Sequence, residues 1–201
     1  MFDAKAEIEI AMHLQSGAKS VVVRWPSDEE WAARASKRKI LFRRLGRGMS
    51  ETVTPEPGEA DVALYEKIAL NGTPTLTKGE AYQVAEALAV ASATGVTVEG
   101  DRATVTLTVL TGQVSHNLGI PNADQVITFR RGAFRMFDLP FNTQELRLKA
   151  DAGAKLWDAC GGKSDDYAGG TIPAIHKDAA ARAVVEYLDR NLGPQQDDSN
   201  F

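Results

Sequence analysis

Cysteine is almost missing from this sequence: Cys160 is the only one in 201 residues. A single thiol closes no intrachain disulfide, so a disulfide scaffold is excluded, a reducing compartment fits, and Cys160 is expected to serve as a small buried hydrophobe. Long apolar runs are missing as well; no stretch approaches the roughly 18 residues that a membrane helix needs. Met1 to Ile10 carries Asp3, Lys5, Glu7 and Glu9 where a signal peptide would need an apolar core. The expectation is a protein neither secreted nor held in a membrane.

Histidine is scarce, and the three present, His13, His116 and His176, have no mutual spacing. H-E-x-x-H and paired-cysteine patterns do not occur, so the expectation is no metal, no cofactor and a structural role for each histidine. A G-x-S-x-G nucleophile elbow is likewise missing, and Cys160 has no motif that would supply a base. Gly161-Gly162-Lys163-Ser164 resembles the end of a phosphate-binding loop, but the glycine required five residues before Gly162 is Trp157. Asp165-Asp166 and Asp197-Asp198 read as solvated loop carboxylates. With no catalytic constellation in sight, the expectation is a protein that is not an enzyme.

What the sequence does contain is the composition of a globular chain, 43% hydrophobic and 25% charged. It also contains an internal repeat. Glu7 to Pro26 lies over Arg102 to Pro121 without a gap, at an offset of 95. Ile8, Ile10, Met12 and Leu14 alternate with polar residues, as do Ala103, Val105, Leu107 and Val109, which predicts half-buried strands. Gly17 and Gly112 follow at equivalent places, predicting hairpins with two-residue turns, Ser-Gly and Thr-Gly. Pro26 and Pro121 then stop the second strands.

Ser27-x-x-Glu30 and Asn122-x-x-Gln125, again 95 apart, are capping boxes that predict helices over about 28–44 and 123–136. Leu64-Tyr65-Glu66 and Leu156-Trp157-Asp158 predict short helices. Ala81, Val84, Ala85 and Leu88 match Ala181, Val184, Val185 and Leu188 as one apolar face of a closing helix, the first of them opened by its own box, Thr77-x-x-Glu80. Gln144 to Ala150, and more weakly Glu51 to Thr54, read as further strands. The expected fold is therefore α+β, a tandem duplication of a ββα(β)αα unit with pseudo-two-fold related halves. Residues 1–93 form the first repeat, 94–194 the second and 195–201 a polar tail, with Ser92 to Asp101 as the seam.

Charge is segregated. Arg34, Lys37, Arg38, Lys39, Arg43, Arg44 and Arg47 put seven positive charges into fourteen residues without an acid; removing them from the 23 basic residues leaves 16 against 27 acidic ones. Arg130, Arg131 and Arg135 form a weaker cluster on the matching helix. Such a basic helix, 34–47, beside the Leu45-Gly46-Arg47-Gly48 turn, can be a solvated or internally paired face, dock on an acidic protein, or track nucleic-acid phosphates. The overall acidity and the lack of interleaved aromatics count against a dedicated nucleic-acid binder. Trp25, Trp31, Tyr65, Phe141 and Trp157 are the aromatic anchors to consider, each with a core role as the alternative. The partner-binding set is Arg34, Lys37, Arg38, Lys39, Arg43, Arg44, Arg47, Arg130, Arg131 and Trp25.

At Val21 to Thr52, VVVRWPSDEEWAARASKRKILFRRLGRGMSET, and at Asp166 to Ala180, DYAGGTIPAIHKDAA, the chain resembles proteins encoded in tailed-bacteriophage and prophage genomes near virion structural genes. The resemblance implies a role in virion architecture, head-associated as a decoration or minor capsid protein. It also implies assembly in the host cytoplasm, and partners among the major capsid or neighbouring structural proteins within an oligomeric assembly. The rival expectations are a non-virion assembly factor, such as a tail-assembly chaperone, and a nucleic-acid-binding regulator using residues 34–47.

Overall fold

The computed structural model describes residues 1–12, 17, 20–37, 40–45, 49–53, 58–70, 72–139, 143–148 and 151–191, with side chains left aside at 40–45, 49–53, 133–139 and 143–148. His13, Leu14, Arg38, Lys39, Arg47, Phe141 and the 195–201 tail lie outside the described residues.

The chain is a mixed α+β protein. It begins with β1 (Ile8–Ala11), β2 (Ser20–Val23), α1 (Asp28–Lys37), β3 (Ile40–Leu45), β4 (Met49–Val53), α2 (Glu59–Ile68) and α3 (Lys78–Leu88). After β5 (Ala91–Glu99) the same order of element types returns: β6 (Arg102–Val109), β7 (Gly112–Gly119), α4 (Ala123–Ala133), β8 (Phe134–Leu139), β9 (Thr143–Leu148), α5 (Ala152–Ala159) and α6 (Ala174–Asn191). The strands form three antiparallel sheets, β1-β2, β5-β6-β7 and β4-β3-β9-β8.

Local chemistry explains the helix starts. The Ser27 hydroxyl accepts from the Glu30 N–H and the Glu30 carboxylate accepts from the Ser27 N–H, 3.2 and 2.8 Å. Asn122 and Gln125 make the same exchange at 2.9 Å each way. Thr77 and Glu80 repeat it at 3.3 and 2.8 Å. Each box satisfies two N–H groups that a helix end leaves without partners.

The period-two and helical spacings also place the core. Ile8, Ile10, Val21 and Val23 are buried from the first sheet, and Ala103, Val105, Leu107 and Val109 from β6. The apolar faces of α3 and α6 are buried at Ala81, Val84, Ala85 and Leu88, and at Ala181, Val184 and Val185, while Leu188 is half-buried. All of these belong to one hydrophobic cluster that draws on both halves. Residues near the N-terminus help to join the halves: the Phe2 N–H donates to the Asp166 carbonyl at 2.6 Å, and the Ala168 N–H to the Phe2 carbonyl at 2.8 Å.

Four expectations need correction. Residues 34–47 are not one basic helix, since α1 stops at Lys37 and Ile40–Leu45 is β3; in the same way α4 gives way to β8 at Phe134. The cause is long-range pairing, with Ile40 opposite Leu146 and Phe134 opposite Leu148. Ser92 to Asp101, the expected seam, has regular structure. Most of it is β5, paired with all of β6 through an irregularity at Ala93/Gly95, so the 93/94 boundary falls inside a strand. The hairpin turns also differ. Ala11 pairs with Ser20, a longer connection than two residues, and Val109 pairs with Gly112, so the turn is Leu110-Thr111. Gly112 follows it at φ 132°, which few residues other than glycine adopt.

Two isolated bridges sit at similar places, the second one residue short of the position 95 beyond Val23. Val23 pairs with Ala69, after α2, and Asn117 pairs with Lys163, after α5; both partners in the second bridge lie 94 residues beyond those in the first.

Candidate functional site

The densest group of ionisable and aromatic side chains is buried between the halves. β7 alternates Val114, His116 and Leu118 into the core, which carries His116 inward. The segment after α5 brings Tyr167 across it, and the first turns of α6 bring His176. The Tyr167 hydroxyl is 2.9 Å from His116 Nε2 and 3.0 Å from His176 Nδ1. One hydroxyl hydrogen serves only one of these nitrogens, so Tyr167 donates to one imidazole and accepts the N–H of the other.

Desolvation pushes His116 down to about 4 and His176 to about 3, and it raises the Tyr167 phenol well above its usual value. All three are therefore neutral near pH 7. Rings extend the group in both directions. Phe2 meets Trp25 and His176 edge-on at 4.9 Å each, Trp25 meets Trp31 at 6.2 Å, and His116 meets Trp157 at 6.0 Å. The indole nitrogens of Trp25, Trp31 and Trp157, with His116 Nδ1 and His176 Nε2, have no hydrogen-bond partner among the described residues. The shared hydroxyl joins β7 to α6 within the second half, while Phe2 and Trp25 of the first half pack on His176. Both histidines are fully buried, so neither is presented to a solvent-borne substrate.

Of the predicted partner-binding residues, Arg34, Lys37, Arg130, Arg131 and Trp25 have described side chains. Arg34 is 6% exposed, and its Nε donates to Asp61 at 2.7 Å while its terminal nitrogen donates to Glu86 at 2.8 Å. It ties α1 to α2 and α3, and it does not form part of an exposed basic face. Trp25 is 5% exposed inside the aromatic group, because Phe2 and His176 pack on it, so it too is withdrawn from the surface. Trp31, Tyr65 and Trp157 are also core residues. Arg130 is half-exposed and held by both oxygens of Asp189 at 2.5 and 2.7 Å. Lys37 and Arg131 are exposed, and Arg43 and Arg44 lie on β3.

A hollow of about 440 Å³ lies between α4 and α5, with Phe129 and Leu156 among its apolar lining and Asn122, Gln125, Asp151 and Lys155 among its polar lining. His116, Tyr167 and His176 do not line it. Gly161 and Gly162, which resemble a phosphate loop in sequence, end α5 instead: Gly161 takes φ 59°, and a Cβ on Gly162 would lie 2.2 Å from the Trp157 ring. Among the described residues no group of three or more His, Cys, Asp or Glu is placed to hold a metal ion, and no helix is long and apolar enough to cross a membrane.

No family model, curated protein or solved structure matches this chain.

Proposed function

We propose that this chain is a structural protein of a tailed-bacteriophage particle, head-associated, and that it is built from two tandem copies of one ββαββαα unit. Support for the duplication is structural and consistent across levels. Seven elements recur in the same order of strand and helix, with capping boxes 95 residues apart. Val23↔Ala69 and Asn117↔Lys163 bridge similar places, although Asn117 falls one residue short of the counterpart of Val23 in the hairpin register. The hairpins β3-β4 and β8-β9 close at Leu45↔Met49 and Leu139↔Thr143, again 94 apart with three residues between the paired ends.

The relation between the units departs from the expected two-fold. A two-fold that pairs β3 with β9 would also pair β8 with β4, whereas among the described residues β4 and β8 are the outer strands of the sheet. We read the two hairpins as joined head to tail.

The observation that carries the functional reading is this four-stranded sheet, where equivalent hairpins of two units meet and two backbone edges remain. Sheet edges are surfaces for binding other chains. A protein with two similar units engages two neighbours, and the first contact raises the effective concentration for the second. The buried, neutral Tyr167 group supports a cohesive role more readily than a reaction centre. The resemblance at Val21–Thr52 and Asp166–Ala180 directs the reading to virions.

Mass spectrometry of purified particles tests it. Abundance comparable to that of known structural proteins is expected, and absence from particles would contradict it in favour of an assembly factor that departs. A nucleic-acid-binding reading loses Arg34 and Arg130 to carboxylates, which leaves fewer free cations than the sequence suggested.

A further inference from the structure

Within the chain, β3 of the first hairpin pairs with β9, the counterpart of β4 in the second: Ile40 faces Leu146, Leu41 Glu145, Phe42 Gln144 and Arg43 Thr143. The contact joins unlike strands, so it leaves each unlike strand once unused. β8, the counterpart of β3, has no neighbour on its outer side, and β4, the counterpart of β9, has none on its own, among the described residues. Strand directions alternate across β4-β3-β9-β8, so a further β4 beside β8 is antiparallel to it, as β9 is to β3.

We propose that copies of this chain add to one another along this sheet, β8 of one copy pairing with β4 of the next in the register that β3 and β9 already use. The inference rests on the duplicated-unit reading, because only the equivalence of the two hairpins makes β3-β9 a template. Shifting the template by 94 sets Phe134 opposite Thr52 of the next copy, Arg135 opposite Glu51, Met136 opposite Ser50 and Phe137 opposite Met49. Position 135 against 51 brings opposite charges into line. Neither β4 (MSETV) nor β8 (FRMFDL) carries the proline or lysine that commonly blocks an edge from pairing. Because the contact is heterologous, it does not stop at two copies unless a ring closes.

Cysteine cross-linking of the full chain tests this. In a Cys160→Ser background, Glu51→Cys and Arg135→Cys are made singly and together, with circular dichroism to verify folding. Under mild oxidation an equal mixture of the two single variants is expected to yield a covalent dimer that neither yields alone, and the double variant a ladder of oligomers. Pairing Arg135→Cys with Ser50→Cys, one residue out of register, is expected to lose most of the product. No dimer in the mixture overturns the proposal. Cross-linking of Glu51→Cys alone as efficiently as the mixture overturns it too, and removes the head-to-tail reading of the units. A ladder from a chain absent from particles would instead leave the edge pairing standing and remove only the particle reading.

Discussion

Arg34 and Asp61 form an ion pair at 2.7 Å in which both side chains are about 5% exposed or less. Asp61 also accepts from the Gly58 N–H at the start of α2, at 3.2 Å, so one carboxylate both caps a helix and holds the cation of another. The guanidinium lies 5.6 Å from the centre of the Trp31 ring, a neighbour on the same helix face.

Removing Asp61 takes from the buried guanidinium its one buried carboxylate and leaves it only the more exposed Glu86. Asp61→Ala is expected to destabilise the protein by about 3–5 kcal/mol, read as a lower urea midpoint. Replacing both residues, Arg34→Met with Asp61→Leu, is expected to recover most of that loss. The second half suggests why: 95 residues beyond Arg34 stands Phe129, itself buried, in the matching helix. A midpoint unchanged by Asp61→Ala would contradict this account of how α1 is held.

The buried histidines predict a particular dependence on pH. Unfolded, each ring takes up a proton as pH falls through 6.5; folded, His116 resists until about 4 and His176 until about 3. The stability from keeping both rings neutral is complete above pH 6.5 and is lost as pH falls through the window down to those folded values. Each ring contributes a slope of up to about 1.4 kcal/mol per pH unit within it. Urea midpoints should therefore decline already between neutral pH and the carboxylate range. Tyr167→Phe, which deprives both rings of their shared partner, is expected to cost about 1–3 kcal/mol at neutral pH. Midpoints flat across that upper window would refute the neutral-ring account.

Gly153 is fixed by a close approach. A Cβ there would lie 2.2 Å from Asp178 Oδ1 and 2.8 Å from the Asp178 Cα, and the backbone atom has little freedom to retreat. The Gly153 N–H donates to the same carboxylate at 2.9 Å. Gly153→Ala must push α5 from α6, with an expected cost of about 1–3 kcal/mol by thermal or urea unfolding. A neutral result would mean that the two helices pack with more slack than described.

Much of the fold was legible because it is written locally. Capping boxes at Ser27, Thr77 and Asn122 need only residues three apart, and the buried faces of α3 and α6 follow from their own spacing. The failures share a different origin. Ile40 to Leu45 mixes apolar and basic residues in a way that suits a continuing helix, and it is a strand because Ile40 finds Leu146, a partner that no local pattern reveals. β5, with its glycine at 95 and its small polar residues, reads as a seam without regular structure until β6 pairs with it.

The candidate site was less legible than the fold. His116, Tyr167 and His176 are separated by 51 and 9 residues, and their meeting depends on the packing of β7, the segment after α5, and α6. One signal did exist: the alternation Val114, His116, Leu118 puts a histidine on the inward face of its strand. For Arg34 the signal was its place three residues after Trp31, on the same helix face. Counting charges along the chain, without assigning them to faces, left open whether Arg34 is solvated, docked on a partner or paired internally; hydrogen bonding to Asp61 and Glu86 pairs it internally.

Sedimentation velocity of the unaltered chain over a wide concentration range tests most directly the claim that two head-to-tail units leave complementary edges free. The account predicts that mass rises with concentration from 21.7 kDa to integral multiples of it. A chain that stays at 21.7 kDa at every concentration would contradict it.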